Sequence, residues 1–141
     1  MKHNDPISRI MSSGAVTLHP GDPISKARRL MRECSVHHLP VVTGQELIGI
    51  VSFSDILRIS FGDAFGADER AVDATLDHTM TIEQIMSKSP STLKKDARVR
   101  DAAEILSQGN FHAVPIVDAD GKTLVGMVTS TDLIRYLLDQ I

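Results

Sequence analysis

The feature that most constrains this 141-residue chain is an internal repeat. The segment Ile7-Ser8-Arg9-Ile10-Met11-Ser12 returns 75 residues later as Ile82-Glu83-Gln84-Ile85-Met86-Ser87. The spacing becomes 77 at a predicted turn, where a two-residue insertion disturbs neither register nor packing. Further matching pairs are Thr17 and Thr92, His37 and His112, Pro40 and Pro115, and Asp55 and Asp132. The chain is therefore predicted to contain one small structural unit twice.

Each copy has the hydrophobic pattern of a short α/β unit. An early extended segment is followed by an amphipathic helix, two β runs separated by turn residues, and a second helix. Asp22 and Asp96 are expected to cap the first helix of each copy, and Gly109 to end the later of these helices. The predicted strands are Leu39–Thr43, Leu47–Ser52, Val114–Asp118 and Leu124–Thr129.

The size of the repeat determines the predicted fold class. A unit of about 55 residues cannot cover its sheet alone, so two copies packed sheet to sheet are expected to share one core. This is an α+β fold (α/β type) in which each repeat is a small sheet with two helices packed on it. The predicted limits are 1–59 for repeat 1, 60–80 for a connector and 81–141 for repeat 2. The connector is predicted to be solvated and partly helical, with one loose helix from Asp68 to Leu76.

Composition excludes several classes of function. The net charge of −3 and the pI of 6.0 indicate no excess of basic residues with which to bind nucleic acid. The single cysteine, Cys34, excludes a disulfide framework and a cysteine zinc site, and it is predicted to be buried and inert. No apolar run or signal core is present, so we expect a cytoplasmic protein without membrane insertion. No nucleotide-loop, nucleophile-elbow or metalloprotease motif is present, so no catalytic or metal-binding residue is predicted.

The ordered motifs resemble a pair of cystathionine-β-synthase (CBS) domains, also called a Bateman module. Each copy opens with φ-x-x-φ-Met-Ser, where φ is apolar, and continues with a His near Pro-φ-Val. Each copy then ends with Gly-φ-Val-[Ser/Thr]-x-x-Asp, at 49–55 and again at 126–132. The resemblance implies a pseudo-two-fold module with two clefts between the repeats that bind AMP, ADP, ATP or S-adenosylmethionine. It also implies a regulatory, energy-sensing homodimer acting on an unknown effector protein, with no obligate cofactor.

Asp55 and Asp132 are the central candidate residues. Each is predicted to lie where a strand ends and a helix begins, a position from which a carboxylate can accept hydrogen bonds from vicinal ribose hydroxyls. Aspartate has this role in the family that the chain resembles. The pattern Ser/Thr-x-x-Asp is also an ordinary start of a helix, and the two interpretations are compatible.

The remaining candidates surround these carboxylates in the predicted topology. Hydroxyls beside exposed helix N-terminal amides suit a phosphate or any other anion. The early extended segments could hold an adenine or could be ordinary strands. The resemblance implies that His37 and His112 face the clefts near phosphates, although a histidine at a strand start is commonly a surface residue. The complete predicted nucleotide-binding set is Val16, Thr17, His37, Pro40, Ser52, Asp55, Ser91, Thr92, His112, Pro115, Thr129, Thr131 and Asp132.

The two copies differ in charge. His38 in the first copy corresponds to Ala113 in the second, which puts equal phosphate binding by both copies in doubt. Arg58 and Arg135 are interpreted as i,i+3 partners of the aspartates. The basic run from Lys26 to Arg32 is interpreted as a solvated helix face. The predicted function is a stand-alone nucleotide sensor, and the alternative is a ligand-free scaffold or protein-interaction module of the same fold.

Overall fold

The computed structural model of the chain describes residues 5–60 and 68–141. A 3₁₀ turn, Ile7–Arg9, precedes the first helix. The helices are α1 (Ile24–Glu33), α2 (Phe53–Ser60), α3 (Glu69–Thr79), α4 (Ile82–Ile85), α5 (Val99–Ser107) and α6 (Ser130–Gln140). The strands are β1 (His38–Thr43), β2 (Glu46–Ser52), β3 (Ser87–Lys88), β4 (Leu93–Lys94), β5 (Ala113–Val117) and β6 (Leu124–Thr129).

The strands form two three-stranded sheets, in the orders β1-β2-β3 and β4-β5-β6. β3 is antiparallel to β2, β4 is parallel to β5, and β5 is antiparallel to β6. Gly44 and Gly121, in the turns after β1 and β5, have φ values of 62° and 73°, which glycine adopts without strain. The mixed α+β fold with a repeated unit is confirmed.

The first sheet belongs to one compact unit, formed by Val16–Gly44 with Ile48–Ser89. We call it the first-sheet unit. Its last strand, β3, comes from the opening segment of the second repeat, since Gly49 and Ile50 pair with Lys88 and Ser87. Its buried core is Leu18, Ile24, Ala27, Met31, Leu39, Val41, Val51, Ile56, Val72, Leu76, Ile82 and Ile85.

The second sheet belongs to another compact unit, which we call the second-sheet unit. It comprises the segment up to Ala15, Gln45–Leu47 and Pro90–Ile141. The opening segment of the first repeat completes it, because Ser12 and Met127 exchange backbone hydrogen bonds of 2.9 and 3.1 Å. Its buried core is Ile7, Ala102, Leu106, Val114, Ile116 and Val128.

A buried polar cluster attaches this opening segment to α6. The Tyr136 hydroxyl donates a hydrogen bond to the carboxylate of Asp5, and both side chains are buried. Arg9 lies 3.4 Å from the same carboxylate. The hydrogen bond to Asp5, together with desolvation, raises the pKa of Tyr136 above its ordinary value of 10.0. The cluster therefore joins residues 131 positions apart in the chain.

Helix α3 corrects the expectation of a loose helix in the connector. Val72 and Leu76 are buried in the core of the first-sheet unit. Asp77 accepts hydrogen bonds from the backbone N–H of Ser25 at 2.8 Å and from its hydroxyl at 2.6 Å. α3 is therefore packed on α1 as an integral layer. The acidic, glycine-containing part of the predicted connector at 61–67 lies outside the described residues.

Two predicted helix caps and one burial assignment are also corrected. α1 starts at Ile24 after Pro23, and Asp22 instead accepts from the backbone N–H of His19 at 2.8 Å. α5 starts at Val99, three residues after Asp96, and Asp101 accepts from the backbone N–H of Arg98. Gly109 has the predicted left-handed φ, at 79°. Cys34 is exposed because it follows the last residue of α1 and no longer lies on the apolar face.

Candidate functional site

In the first-sheet unit, the early extended segment lies beside β1. The backbone N–H of Leu18 donates to the carbonyl of Pro40 at 2.9 Å, and Leu18 bridges Val41 in parallel orientation. Val16 is 39% exposed, whereas Pro40 is buried. Val16, Thr17 and Pro40 are therefore grouped at one end of this parallel pair, with Val16 accessible to solvent.

The start of α2 brings His37 to the same neighbourhood. The His37 carbonyl accepts a hydrogen bond of 2.7 Å from the backbone N–H of Phe53, the first residue of α2. The exposed His37 ring lies edge-on to the Phe53 ring, with 5.8 Å between their centroids. His37 therefore lies at the N-terminus of α2, adjacent to the predicted residue Ser52.

Ser52 and Asp55 form a reciprocal capping pair at this N-terminus. The Asp55 carboxylate accepts from the backbone N–H of Ser52 at 2.9 Å, and the Ser52 hydroxyl accepts from the backbone N–H of Asp55 at 3.1 Å. The other Asp55 oxygen accepts from Arg58 Nη2 at 2.6 Å. The structural interpretation of this motif is thus confirmed, and the expected Asp55–Arg58 pair is present.

The second-sheet unit repeats this arrangement. Leu93 and Lys94, directly after Ser91 and Thr92, pair in parallel with Ile116 and Val117 next to Pro115. The His112 carbonyl accepts from the backbone N–H of Ser130 at 3.0 Å. Thr129 and Asp132 form the capping pair, with hydrogen bonds of 2.8 and 3.2 Å. Each unit thus holds one complete half of the predicted residues.

We call these halves the first and second candidate sets. The first set is Val16, Thr17, His37, Pro40, Ser52 and Asp55 of the first-sheet unit. The second set is Ser91, Thr92, His112, Pro115, Thr129, Thr131 and Asp132 of the second-sheet unit.

The two carboxylates have different surroundings. Asp55 is buried and forms an ion pair, whereas Asp132 is half-buried. Within residues 5–60 and 68–141, no ion pair joins Asp132 to Arg135, so the expected i,i+3 partner is absent here. A carboxylate without a guanidinium partner keeps more lone pairs available for a ligand. The second set therefore presents the more available acceptor.

The start of α6 also has donors available. The backbone N–H of the capping residue Thr129 donates to the Asp132 carboxylate. The N–H of Ser130 donates to the His112 carbonyl, and that of Asp132 to the Thr129 hydroxyl. Among the described residues, the N–H of Thr131 has no acceptor, and its side chain is exposed. A helix N-terminal amide beside a hydroxyl can bind an anionic group. The matching residue of the first-sheet unit is Ser54, which sequence reasoning missed although it is 77 positions before Thr131.

The glycine of each Gly-φ-Val motif has a role that sequence reasoning also missed. A Cβ at Gly126 would lie 2.7 Å from the carbonyl oxygen of Ser12, and one at Gly49 would lie 2.6 Å from Met86 Sδ. Each glycine therefore lets the opening segment of the other repeat approach the strand. The sequence feature that could have indicated this role is that both Met-Ser and Gly-φ-Val occur once in each repeat. Sequence alone does not indicate whether a Met-Ser segment contacts the glycine of its own repeat or that of the other repeat.

In the described part of the chain, no cluster of three His, Cys, Asp or Glu side chains has the arrangement of a metal site. The described helices include none with the length and apolar character required to cross a bilayer.

The CBS domain model matches the chain twice, at residues 7–62 and 82–139. The chain belongs to the CBS domain family. Its fold is similar to that of CBSX2 from Arabidopsis thaliana in complex with AMP, with 27% identity, a TM-score of 0.78, and coverage of 96% of this chain and 98% of CBSX2. It is also similar to the CBS domain pair of protein MJ0100 in complex with 5′-methylthioadenosine and S-adenosyl-L-methionine. That match has 28% identity, a TM-score of 0.79, and coverage of 98% of this chain and 99% of the pair.

Curated relatives carry this CBS pair as part of longer chains. The uncharacterized protein MJ1404 of Methanocaldococcus jannaschii is 32% identical over 136 residues, which are 94% of this chain and 32% of that protein. Inosine-5′-monophosphate dehydrogenase of Korarchaeum cryptofilum is 30% identical over 118 residues, or 84% of this chain and 21% of the dehydrogenase. The chain therefore spans about a third or less of these relatives.

Proposed function

We propose that this CBS pair is a non-catalytic regulatory module that senses an adenosine-type ligand: AMP, ADP, ATP or S-adenosylmethionine. The observation that carries the proposal is the duplicated aspartate at a strand-to-helix junction, Asp55 and Asp132, each grouped with an extended segment and a histidine. The AMP and S-adenosylmethionine complexes of similar CBS pairs support the same ligand class. We also propose a cytoplasmic location and a role in energy sensing.

Each member of a candidate set has a chemical role in this proposal. The aspartate accepts hydrogen bonds from the ribose hydroxyls while it continues to cap its helix, since each carboxylate oxygen has two lone pairs. The amide and hydroxyl of Thr131 bind a phosphate or carboxylate group. Val16 supplies an apolar surface for the adenine ring, and His37 and His112 approach the anionic end of the ligand.

The two candidate sets are proposed to differ in affinity. Asp55 is buried and paired with Arg58, so a ribose must compete with that guanidinium. Asp132 lacks an equivalent pair in the described structure and is more accessible. We therefore assign the tighter binding to the second set.

Calorimetric titration with AMP and 2′-deoxy-AMP tests the ribose contact without altering the protein. Loss of a hydrogen bond to a charged acceptor is expected to weaken binding about 10- to 100-fold for the deoxy analogue. ADP, ATP and S-adenosylmethionine complete the ligand panel. Equal affinity for AMP and its deoxy analogue, or no binding of any ligand, would contradict the proposal.

Matched variants test the assignment of the two sets. Asp132→Asn is expected to weaken the tighter binding event and Asp55→Asn the weaker one, because an amide keeps a capping oxygen but loses the charge. Asp139→Asn, an exposed carboxylate on α6 outside both sets, is the control and should leave the titration unchanged. A larger loss in Asp55→Asn than in Asp132→Asn would reverse the assignment.

A second candidate function is a protein-interaction module, which the surface of α6 favours. Ile134, Leu137 and Leu138 are 64%, 46% and 68% exposed, a large apolar face for a helix in water. We propose that this face forms a homodimer or binds the regulated effector protein. Light scattering of wild type and Ile134→Glu checks the dimer: a monomeric wild-type chain at micromolar concentration would exclude it.

A further inference from the structure

Ser89 has a backbone conformation that its sequence disfavours. Its φ is 52°, in the left-handed region, which is about 5- to 30-fold less favourable for a residue with a side chain. Pro90 follows it, and a residue before proline is normally held in the extended region. The other described residues with left-handed φ are four glycines and Ser35, which follows the C-cap of α1, where such a φ is common. Neither a glycine nor a helix end therefore explains Ser89.

Ser89 lies in a short link between two paired strands. β3 pairs with β2 up to Lys88, and β4 pairs with β5 from Leu93. Among residues 5–60 and 68–141, no loop or turn hydrogen bond between backbone groups holds residues 89–92, and Ser89 is exposed. Backbone strain persists only where the surrounding structure imposes it. The strain at Ser89 is therefore imposed by the strands at the two ends of the link and not by contacts of the link itself.

The first repeat has a glycine at the equivalent position. Gly14 lies 75 residues before Ser89 and has a φ of 66°. A Cβ at Gly14 would have no neighbour within 4 Å, so lack of space does not require a glycine there. Glycine adopts a left-handed φ about as readily as a negative one. Both repeats therefore form the same left-handed turn, without strain in the first repeat and with strain in the second.

The position of Ser89 connects this strain to the second candidate set. Ser89 comes two positions before Ser91 and three before Thr92, and Gly14 has the same place before the extended segment of the first set. A change of φ at Ser89 turns the chain that follows it, and with it the direction in which Ser91 and Thr92 face a ligand. The next paired residue is Leu93, so such a change is confined to this link.

We propose that Ser89 is a conformational switch of the second candidate set, an inference that rests on the proposed nucleotide function. In the left-handed state, Ser91 and Thr92 are presented to the adenosine-type ligand. In the free chain, Ser89 relaxes towards the extended conformation that serine prefers before proline. The apparent affinity of the second set is then reduced by the population of the left-handed state. This reduction partly offsets the advantage that the more available carboxylate of Asp132 gives to that set.

Calorimetric titration with AMP in an Asp55→Asn background reports on the second set. Ser89→Gly is expected to tighten binding about 3- to 15-fold, because glycine populates both signs of φ about equally. Ser89→Asn should tighten it less, since asparagine adopts a left-handed φ more readily than serine. Ser89→Val should weaken it, because a β-branched residue is strongly disfavoured at positive φ. Unchanged affinity in Ser89→Gly would overturn the switch alone, whereas no binding of AMP by the wild-type chain would overturn it together with the proposed function.

Thermal melts without ligand separate a switch from static strain. If Ser89 is relaxed in the free chain, Ser89→Gly should not raise its Tm. A higher Tm with unchanged affinity would show that the left-handed state is permanent and would overturn the proposal.

Two glycine variants in an Asp132→Asn background provide the matched control for the first set. Gly14→Ser introduces the strain of Ser89 and should weaken AMP binding about 3- to 15-fold. Gly21→Ser should leave the affinity unchanged, since Gly21 has no left-handed φ and a Cβ there has no neighbour within 4 Å. Equal affinities of these two variants would show that this φ does not control binding, which would overturn the proposal.

Discussion

At the scale of single residues, Gly126 marks a close approach between β6 and the opening segment in the second-sheet unit. The strand β6 contacts the backbone of Ser12 and the side chain of Met11, and the space for a methyl group at Gly126 is already occupied. The Ser12 carbonyl is held by the N–H of Met127, so it cannot move without loss of that hydrogen bond. The contact at Gly49 differs, because its nearest neighbour is the flexible end of Met86.

Gly126→Ala is therefore expected to destabilise the protein by roughly 1–3 kcal/mol, the usual cost of overpacking a site that cannot relax. For a chain of this size the loss corresponds to a decrease in Tm of roughly 3–9 °C in a thermal melt. Gly21→Ala is the control, since a Cβ there has no neighbour within 4 Å. A Gly126→Ala protein as stable as Gly21→Ala would show that the opening segment can shift to make room for the added methyl group.

Local sequence patterns predicted the two helix starts that carry the candidate aspartates and missed the contacts between residues far apart in the chain. The repeated Ser/Thr-x-x-Asp identified both helix starts because that cap spans only three residues. The α1 cap was wrongly assigned to Asp22 because its real acceptor, Asp77, is 52 residues from Ser25. Cys34 was misassigned because the apolar stripe was continued past the end of α1. Contacts at long sequence separation leave no periodic signal in a single sequence.

At the scale of elements, α1 and α3 depend on each other. No side chain from the capping position of α1 caps it, and the carboxylate of Asp77 on α3 satisfies the backbone N–H of Ser25 instead. The same pair of helices buries Val72 and Leu76. The polar contact fixes the register of α3 along α1, and apolar burial supplies most of the affinity between them.

Asp77→Ala is expected to cost about 0.5–2 kcal/mol, the range for loss of a helix N-cap. Denaturant unfolding of the variant and of wild type measures the difference. Asp139→Ala on α6 is the matched control, and its effect should be zero or slightly stabilising, because a carboxylate near a helix C-terminus opposes the helix dipole. Equal effects of the two substitutions would exclude Asp77 as the cap of α1.

The turn between β5 and β6 is held by Asp120. Its carboxylate accepts from the backbone N–H of Thr123 at 2.9 Å and of Lys122 at 2.8 Å, and from the Thr123 hydroxyl at 2.7 Å. These hydrogen bonds lower the pKa of Asp120 to about 2 from an ordinary value of 3.8. A lowered pKa in the folded state means that the stabilisation is fully present above pH 3.8 and is lost as the pH falls towards 2.

Carbon-13 NMR titration of the Asp120 carboxyl should therefore have its midpoint near pH 2. Thr123→Val removes one donor and is expected to move this midpoint upwards, towards 3.8. In urea unfolding, Asp120→Ala should be least stable relative to wild type above pH 4 and should approach wild type as the pH falls. A midpoint at the ordinary value in wild type would exclude these hydrogen bonds in solution.

At the scale of the whole molecule, the contact between Asp5 and Tyr136 joins the first described residue to the last helix. A buried carboxylate that loses its hydroxyl donor is left with Arg9 as its partner, at 3.4 Å. Tyr136→Phe is expected to cost about 1–3 kcal/mol, because the substitution removes only the donor.

A double-mutant cycle with Asp5→Ala and Tyr136→Phe should give a coupling energy of roughly 0.5–3 kcal/mol in denaturant unfolding. Arg9→Gln, combined with Tyr136→Phe, measures how much of the coupling passes through the guanidinium. Additive effects of Asp5→Ala and Tyr136→Phe would show that the two side chains do not interact in solution.

The exchange of opening segments has a consequence for how the chain is made. Residues 5–15 leave the ribosome more than a hundred residues before Met127 and Tyr136, with which they pair. During synthesis of the first repeat, this segment has no partner. One edge of β2 also stays unpaired until β3 has been synthesised. Folding of the first repeat as it emerges, the usual order for successive domains, cannot complete the first sheet, because β3 belongs to the second repeat. The first sheet can be completed once Ser87 and Lys88 have been synthesised, whereas the second-sheet unit needs β6 to pair with a segment made more than a hundred residues earlier.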